Sequence, residues 1–450
     1  MLEIARKIKE AGGKLYLVGG AIRNKLLKIP VTDEDYCVTG LTCEQFQKLF
    51  PEAKIQGKDF PVFILNQREI ALARKERKIG TGHKEFEFIA NSDITIEEDL
   101  SRRDLTINSI AQEVLTGKII DPFHGKEDIE KRILRKTTNA FVEDPLRVYR
   151  VARFVATLNT KLDITNAKQD SVQQNNGKPT ILLMSNETTK QNDMNFVVEP
   201  ETLKAMNQLK QELASLSKER VFSEFRKALA SKKPSYFFET LKQAGVLDIH
   251  FKEIAQLIGQ TQPIQYHPEG DSYAHTMIVV DNSTKLTDSL EIRFSCLVHD
   301  LGKGVTSKEM LPHHYGHDEK GVQLVQNLAS RIGVPNSWTK CGKTACKWHM
   351  KAGIFEKMTP KKQIELIEAV EKSILGLEGL RIVVTCDKNR NKEELLDNFD
   401  NIKFSKLGKK CLSQINGITI QKKYPNLKGK ELGEKLHEER INWIKSIDRR

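Results

Sequence analysis

The segment from Leu15 to Val38, LYLVGGAIRNKLLKIPVTDEDYCV, carries the strongest structural signal in the sequence. Its apolar, β-favouring start predicts a strand at Leu15–Val18. Gly19 and Gly20, here called the glycine turn, let the backbone turn tightly and leave its N–H groups uncovered. A helix of about two turns is predicted at Ala21–Lys28, and its N-terminus suits a bound anion.

Two carboxylates, Asp33 and Asp35, follow on a predicted second strand. Residues two apart in a strand point to the same face, so both are expected to face the pocket over the glycine turn. Paired carboxylates suit Mg²⁺, which often brings phosphates with it. A glycine turn that can bind phosphate, next to two carboxylates that can bind Mg²⁺, predicts nucleotidyl transfer. The alternative is an ordinary turn, because the glycines match neither the P-loop nor G-x-G-x-x-G.

The composition of the chain limits its domain number, its class of partner and its cellular compartment. At 450 residues the chain is expected to hold about two to four domains. Its formal net charge of +12 favours a polyanionic partner, although a basic surface alone would also account for it. Seven scattered cysteines fit neither a zinc ribbon nor a disulfide framework, which predicts a reducing cytoplasm. We expect no membrane partner, since no apolar run approaches transmembrane length.

Further helices and strands are predicted after this segment. A helix is predicted at Cys43–Leu49, and strands are predicted at Lys54–Gln56, Val62–Leu65 and Glu69–Arg74. Glu69 is either a third carboxylate near the Asp pair or a solvated strand end.

The segment ITIEEDLSRRDLTINSIAQE, Ile94 to Glu113, is predicted as a helix that begins at Glu97. It carries Arg103 and Asn108, groups suited to a triphosphate and a ribose. Its apolar register predicts packing on the sheet through Leu105, Ile107 and Ile110. Downstream, Asp121, Gly125 and Asp128 are interpreted as turn former, left-handed residue and helix start.

The segment FVEDPLRVYRVARFVA, Phe141 to Ala156, is predicted to start a helix at Asp144-Pro145. Arg147, Arg150 and Arg153 recur every three residues and form one basic stripe. Either a solvated face or an anion-binding face has this pattern.

Seven of the eleven histidines lie between His267 and His349. The pair His299-Asp300 ends the apolar run of FSCLVHDLGKG. Imidazole and carboxylate together suit Mn²⁺, Ni²⁺, Fe²⁺ or Mg²⁺ and leave positions open for water and phosphate. The alternative is a hydrogen-bonded helix end, and His349 either lies near this site or packs.

Five motifs, in order, resemble those of one family. They are LVGGAIRN with DED, EEDLSRRDLTIN, DPFHG, EDPLR and LSKERVFSE. The family is the bacterial tRNA nucleotidyltransferases, the class II CCA-adding enzymes of the poly(A)-polymerase-like group. The resemblance implies an α+β fold: a nucleotidyltransferase head with a mixed β-sheet and helices, then an all-α neck, body and HD-type domain.

The expected domains are a head at 1–140, a neck at 141–225, a body at 226–265, an HD domain at 266–390 and a helical tail at 391–450. The neck is expected to carry a polar insertion at about 159–198, a stretch rich in Asn, Gln, Thr and Lys.

The resemblance also implies roles in the head. Asp33 and Asp35 would hold Mg²⁺, the catalytic ion that activates the RNA 3′-hydroxyl. Asp144 and Arg147 would read the base edge of C or A without a template. The implied nucleotide-binding residues are Gly20, Arg23, Arg103, Asp144, Arg147, Arg150 and Arg153. One departure is Asn24, where the family usually has Asp; we expect Asn24 still to orient Arg23.

The second half resembles the HD superfamily of metal-dependent phosphohydrolases. That likeness implies the metal ligands His275, His299 and Asp300, with Asp387 as the candidate fourth ligand. The metal would be a divalent transition metal such as Ni²⁺, or Mg²⁺. His314, His317 and Lys303 are expected to bind or polarise phosphate. In CCA enzymes of the gamma-proteobacterial type, this domain implies phosphatase, 2′-nucleotidase and 2′,3′-cyclic phosphodiesterase activity.

The expected substrates and partners are the tRNA 3′ end, CTP and ATP, with the chain as a monomer or homodimer. Three alternatives stay open. One is a poly(A) polymerase of the same class, against which stand GKDFPVF and the appended HD-type domain. Another is a phosphohydrolase with a non-catalytic RNA-binding head, supported only by Asn24. The third is a CC-only or A-only enzyme, in which a loop between Ala73 and Phe88 sets nucleotide switching.

Overall fold

The structure, a computed structural model, describes residues 1–57, 61–78, 86–89, 92–169, 195–388, 395, 399 and 401–447. Most of the predicted insertion at 159–198, and part of the loop between Ala73 and Phe88, therefore lie outside the described residues. The chain packs as two compact units. The first comprises residues 1–220 and 239–246, and the second comprises residues 221–238 and 247–450.

The strands lie in the first unit. In chain order they are β1 Lys14–Val18, β2 Asp35–Thr39, β3 Lys54–Gln56, β4 Val62–Leu65, β5 Arg68–Leu72, β6 Lys75–Lys78, β7 Phe86–Ile89, β8 Ala111–Glu113, β9 Ile119–Ile120, β10 Ile133–Leu134 and β11 Val197–Val198. One sheet has the order β3-β4-β5-β2-β1-β8-β9. Strand β2 runs parallel to β5 and antiparallel to β1, so the sheet is mixed.

The first ten helices are α1 Leu2–Glu10, α2 Gly20–Leu26, α3 Cys43–Leu49, α4 Ile96–Ser101, α5 Gly125–Glu130, α6 Leu146–Gln169, α7 Pro200–Gln208, α8 Lys210–Leu213, α9 Lys218–Leu229 and α10 Ser235–Gln243. The first eight lie in the first unit, and α9 and α10 each include residues of both units. Short 3₁₀ helices span Thr106–Asn108 and Asn139–Glu143. The apolar face of the sheet, including Tyr16, Val18 and Cys37, packs against Ile96 and Leu100 of α4. This packing fixes the segment after α4 over the centre of the sheet.

The second unit is helical throughout its described residues. Its helices are α11 Leu247–His250, α12 Lys252–Ala255, α13 Ser272–Leu286, α14 Leu290–Val298, α15 His317–Ile332, α16 Asn336–Gly353, α17 Pro360–Glu371, α18 Gly376–Lys388, α19 Phe404–Gln414, α20 Gly417–Lys423 and α21 Gly429–Ile447. Short 3₁₀ helices span Leu301–Val305, Lys308–Met310 and Phe355–Lys357. One apolar core joins α13, α14, α16, α17 and α18.

The α+β fold class is confirmed, with the mixed sheet confined to the first unit. Three local predictions were wrong. Strand β2 begins at Asp35, so Asp33 lies before the strand rather than on it. Helix α4 ends at Ser101, so Arg103 follows the helix. The left-handed residue is His124, with φ of 57°, and not its neighbour Gly125.

Gly125 is needed for another reason. A Cβ on this residue would lie 2.2 Å from the carbonyl oxygen of Thr106, a distance that a side chain cannot occupy. None of the described helices is both long and apolar enough to cross a membrane.

Candidate active centres

A small cavity lies where β2 and β5 meet the end of β1. Asp35 and Glu69 are in register on the two parallel strands, and both line the cavity. Its volume is about 170 Å³, and Arg102 and Arg103 line another side. The glycine turn is close by, since a Cβ on Gly19 would lie 2.9 Å from Nη1 of Arg103. Gly19 has φ of 66°, which favours glycine.

The carboxylates of this cavity suit a hard cation. The pKa of Asp35 is raised because it is partly buried; the nearby Asp33 carboxylate adds to the rise and Arg103 opposes it. A cation would relieve the same repulsion and favour the ionised form. Glu69 thus lines the same cavity as Asp35, whereas Asp33 precedes the strand and does not line the cavity. The oxygen donors fit Mg²⁺.

Asp99, which the sequence did not single out, holds both arginines of the cavity. Its Oδ2 accepts from Nε and Nη2 of Arg103 at 3.3 and 3.0 Å, and its Oδ1 accepts from Nη2 of Arg102 at 2.6 Å. Asp99 is fully buried, and burial opposes its charge, but Arg103 and Arg102 outweigh that effect and lower its pKa. Asp99 lies three and four residues before the two arginines in EEDLSRRD, a spacing that brings side chains together on a helix and could have indicated this contact.

A second network surrounds Arg23. Its Nη1 donates to Oδ1 of Asn108 at 2.6 Å, while Nε and Nη2 donate to Oδ1 of Asn24 at 3.2 and 2.9 Å. Asn24 therefore orients Arg23, as expected of the residue at that position. Asn108 in turn donates to Oδ1 of Asp104 at 2.9 Å, and Arg150 donates to Oδ2 of Asp104 at 2.8 Å. Three elements of the first unit, α2, the 3₁₀ helix Thr106–Asn108 and α6, are thereby linked through Asp104.

Three predicted arginines gather at one aromatic ring. The guanidinium carbons of Arg153, Arg23 and Arg150 lie 4.0, 5.1 and 5.7 Å from the ring centroid of Phe154. Burial, followed by the charge of Arg153, lowers the pKa of Arg23 to about 10, so it stays protonated at neutral pH. A concentration of positive charge on a hydrophobic support suits a triphosphate. The sequence placed Phe154 only as an apolar neighbour.

The two predicted base-reading residues are engaged within the protein. Asp144 accepts from Nη2 of Arg220 at 3.2 and 2.9 Å and caps α6 through the N–H of Leu146. Arg147 is buried and donates to the carbonyl oxygens of Ala140 and Arg102, each at 2.5 Å. The structure brings them to the start of α6, but not to the cavity of Asp35.

The second unit brings together six residues from five elements, here called the HD centre. They are His275 on α13, His299 and Asp300 after α14, His317 on α15, His349 on α16 and Asp387 on α18. Ligand atoms of His275, His299, Asp300 and Asp387 all lie within 4.8 Å of one another. The four ligands implied by the HD resemblance are therefore brought together. This donor set of two imidazoles and two carboxylates fits a divalent metal.

Contacts of the Nδ1 atoms hold two imidazole rings of the HD centre in their orientations. Nδ1 of His275 lies 2.7 Å from Oε1 of Glu269, and Nδ1 of His299 lies 2.7 Å from the carbonyl oxygen of Cys296. Each Nδ1 is placed to donate, so each Nε2 faces the carboxylates and is the atom that would bind a metal once it is deprotonated. Nε2 of His275 lies 3.0 Å from Oδ1 of Asp387, and Nε2 of His299 lies 3.2 Å from Oδ2 of Asp300.

The charges of the HD centre are strongly coupled. Burial disfavours a charged His299, but Asp300 and Asp387 outweigh it and raise its pKa to about 10. The same contacts hold the pKa of Asp300 well below its usual range, with Lys303 contributing. Nζ of Lys303 lies 2.6 Å from Oδ2 of Asp300 and donates to Gln262.

Two predicted phosphate ligands have other partners. His314 bridges Thr306 Oγ1 and the carbonyl oxygen of Thr261 at 2.8 and 3.0 Å. Nε2 of His317 lies 3.3 Å from Oδ1 of Asp300, and Nε2 of His349 lies at the same distance from that oxygen. His349 is therefore part of the centre. Its place on a buried face of α16, four residues after Ala345, was the available signal.

Three family models match this chain. Residues 15–135 match the Poly A polymerase head domain, residues 195–258 match the "Probable RNA and SrmB- binding site of polymerase A", and residues 272–373 match the HD domain. The first match covers the cavity and the glycine turn. The third covers the HD centre except Asp387.

Several solved structures share the fold. A CCA-adding enzyme in complex with ATP is 19% identical over 98% of this chain and 88% of that chain, with a TM-score of 0.61. A CCA-adding enzyme with CTP is 19% identical over 98% and 89%, with a TM-score of 0.60. The Bacillus stearothermophilus CCA-adding enzyme with CTP is 20% identical over 100% and 96%, with a TM-score of 0.55. The chain therefore combines regions that match the Poly A polymerase head domain, the RNA-binding site of polymerase A and the HD domain, and it shares its fold with these CCA-adding enzymes.

Proposed function

We propose that the first unit adds and repairs the 3′-terminal CCA of tRNA from CTP and ATP without a nucleic-acid template. The observation that carries this proposal is the cavity in which Asp35 and Glu69 meet Arg103 beside the glycine turn. The solved relatives with ATP and with CTP support the choice of nucleotides. The net charge of +12 suits an RNA partner.

Asp33 and Asp35 are the proposed Mg²⁺ ligands, with Glu69 beside them. Bound Mg²⁺ supplies charge neutralisation at the phosphates and a more acidic 3′-hydroxyl. Arg23, Arg150 and Arg153 hold the triphosphate through their concentrated charge. Gly20 leaves its N–H uncovered at the start of α2, where a phosphate oxygen is also favoured.

Base selection is proposed to use Asp144 and Arg147. Asp144 accepts from the exocyclic amine of C or A, and Arg147 donates to ring acceptors, a pattern that U and G do not match at the amine position. Both residues now bind protein groups. Nucleotide binding therefore exchanges the contact between Asp144 and Arg220, and one contact of Arg147, for contacts with the base.

The second unit is proposed to be a metal-dependent phosphohydrolase acting on phosphomonoesters, 2′-nucleotides and 2′,3′-cyclic phosphates. His275, His299, Asp300 and Asp387 would hold a divalent transition metal such as Ni²⁺, or Mg²⁺. A bound metal supplies an activated water at neutral pH. Lys303, buried beside Asp300, is placed to neutralise charge on a phosphate. We propose a reducing cytoplasm as the compartment, since all seven cysteines are free thiols.

The test is a gel assay, at single-nucleotide resolution, on tRNA that lacks CCA. CTP alone should extend it by two residues, ATP alone by none, and both together by three. Long adenosine tails with ATP alone would instead indicate a poly(A) polymerase. Addition of only C or only A from the mixture would indicate a partial CCA enzyme. Absence of any addition, with phosphatase activity retained, would leave the head as an RNA-binding module.

A further inference from the structure

Two exposed tyrosines lie in the loops that border the HD centre. Tyr266 is 65% exposed and Tyr315 is 71% exposed. Among the Phe, Trp and Tyr side chains that the structure describes, these two are the only ones that are largely exposed, and the others are buried or partly buried. An aromatic ring normally gains stability by burial, and both exceptions occur beside the same centre. We therefore examine what these two rings could bind.

The loop that carries Tyr266, residues 261–271, is attached to the HD centre by its own side chains. The ring of the next residue, His267, lies 4.7 Å from that of His275, measured between centroids. Oε1 of Glu269 lies 3.1 Å from Nδ1 of His267 and 2.7 Å from Nδ1 of His275. Tyr266 is thus one residue away from a histidine that contacts a proposed metal ligand.

The loop that carries Tyr315 is attached to the same centre. Tyr315 lies two residues before His317, whose Nε2 is 3.3 Å from Oδ1 of Asp300. Consecutive Cα atoms are about 3.8 Å apart, so the Cα atoms of Tyr315 and His317 lie within about 8 Å of each other. Nε2 of His314 lies 3.0 Å from the carbonyl oxygen of Thr261, which joins this loop to the loop of Tyr266.

The ring of Tyr315 is held by a stacking contact. It lies 5.7 Å from the ring of His313, measured between centroids, with an interplanar angle of 23°. His313 therefore covers one face of the tyrosine ring, and the large exposed fraction of Tyr315 belongs to its other face and its edge. A planar group that enters from solvent could stack on that face.

We propose that Tyr266 and Tyr315 stack on the base of a nucleotide whose phosphate is bound at the HD centre. The two tyrosines would then determine specificity and would take no part in the chemical step. The inference rests on the proposed phosphohydrolase, and it names nucleotides, rather than phosphate esters in general, as the preferred substrates of that centre.

The chemistry of the proposed substrates agrees with this arrangement. In a 2′-nucleotide or a 2′,3′-cyclic phosphate, one ribose carries both the base and the phosphate. A phosphate at the buried ligands therefore leaves the base at the border of the centre, where the exposed rings lie. Every base has an aromatic face, so stacking tolerates all four bases. We expect a strong preference for substrates that contain a base and little discrimination between bases.

The test compares two substrates in the full chain with Ni²⁺ or Mn²⁺ supplied. Adenosine 2′-monophosphate carries a base, whereas glycerol 2-phosphate has no aromatic group. Release of inorganic phosphate is measured over a range of substrate concentrations. Tyr266→Ala and Tyr315→Ala should each raise KM for adenosine 2′-monophosphate by about 10-fold, because a stacking contact is lost. We expect kcat to stay within about twofold, and both constants for glycerol 2-phosphate to stay unchanged.

Two further variants serve as controls. Tyr315→Phe keeps the aromatic ring and should keep the original KM for adenosine 2′-monophosphate. Ile418→Ala removes a side chain of α20 that is as exposed as Tyr315, and it should leave the constants for both substrates unchanged. Circular dichroism checks that each variant is folded.

An unchanged KM for adenosine 2′-monophosphate in both alanine variants would overturn the stacking role and leave the phosphohydrolase standing. An equal rise in KM for both substrates would also overturn it, because such a rise would indicate a general disturbance of the HD centre. If the original protein released phosphate from neither substrate, the proposed phosphohydrolase would itself be overturned, and the stacking role with it.

Discussion

The polar side chains of the head and those of the HD centre differ in how they are satisfied. In the head, Arg103 is held by Asp99, Arg23 by Asn24 and Asn108, and Asp144 by Arg220. In the HD centre, buried imidazole nitrogens face a buried carboxylate without hydrogen-bond geometry. Under the proposed functions, a large anionic substrate would have to rearrange the hydrogen-bond network of the head. The HD centre, by contrast, would bind a cation with side chains that already lie close together.

The largest expected effect is at the HD centre, because its ligands depend on one shared carboxylate. Asp300→Asn should lower phosphatase turnover by about 10³-fold or more, since losing a metal costs several kcal/mol of transition-state stabilisation. The measurement is hydrolysis of a chromogenic phosphomonoester with Ni²⁺ or Mn²⁺ supplied. Ile418→Ala is the control, and a loss of similar size in that variant would contradict the assignment.

In the head, the network predicts a smaller loss from a residue that touches no substrate. Asp99→Asn should reduce nucleotide addition by about 10- to 100-fold, because Arg102 and Arg103 lose their charged anchor and shift. The loss should appear mainly as a higher KM for CTP and ATP. Glu97→Gln, in the exposed first turn of the same helix, is the matched control. An equal loss of nucleotide addition in both variants would show that Asp99 does not position the arginines.

Packing around the HD centre gives a prediction about stability. Gly302→Ala should lower the free energy of unfolding of the second unit by about 1–3 kcal/mol, because its Cβ has no room beside His317. Phosphatase activity should fall with it. Gly417→Ala is the control, since nothing lies within 4 Å of the added Cβ. Thermal unfolding measures the effect, and an unchanged midpoint for Gly302→Ala would contradict the close approach.

The smallest effect is expected where the chain departs from its relatives. Asn24→Asp adds charge to the acceptor of Arg23 but removes the amide that donates to the carbonyl oxygen of Pro30 at 3.3 Å. The two changes are each worth about 1 kcal/mol and oppose one another. Nucleotide addition should therefore stay within about threefold of the original. A tenfold gain would mean that Asn24 impairs this copy of the site.

Local sequence signals predicted the elements that local chemistry governs. A continuous apolar, β-favouring run located β1, and β3, β4 and α3 were predicted at their observed bounds. The glycine turn and the pairing of His299 with Asp300 were also visible, because adjacent residues create them. By contrast, α4 ends at Ser101, since the following residues turn to cover the sheet, and tertiary packing overrides the helical pattern there.

The remaining features depend on contacts distant in sequence. His317 and His349 reach Asp300 because Gly302 lets the segment after α14 approach α15, and Gly321 lets α15 approach α16. Asp99 became recognisable as the anchor of Arg103 once its burial was known. Arg147 carries the spacing of an exposed basic stripe, but it is buried on backbone carbonyls. Periodicity assigns a residue to a face of a helix and does not say which distant group that face will meet.

If the two centres catalyse separate reactions, each reaction can be abolished without loss of the other. Asp35→Asn and His299→Gln proteins are each assayed for CCA addition to truncated tRNA and for phosphomonoester hydrolysis. We expect Asp35→Asn to abolish addition and keep hydrolysis, and His299→Gln to do the reverse. Addition that persists in Asp35→Asn, or hydrolysis that persists in His299→Gln, would contradict it.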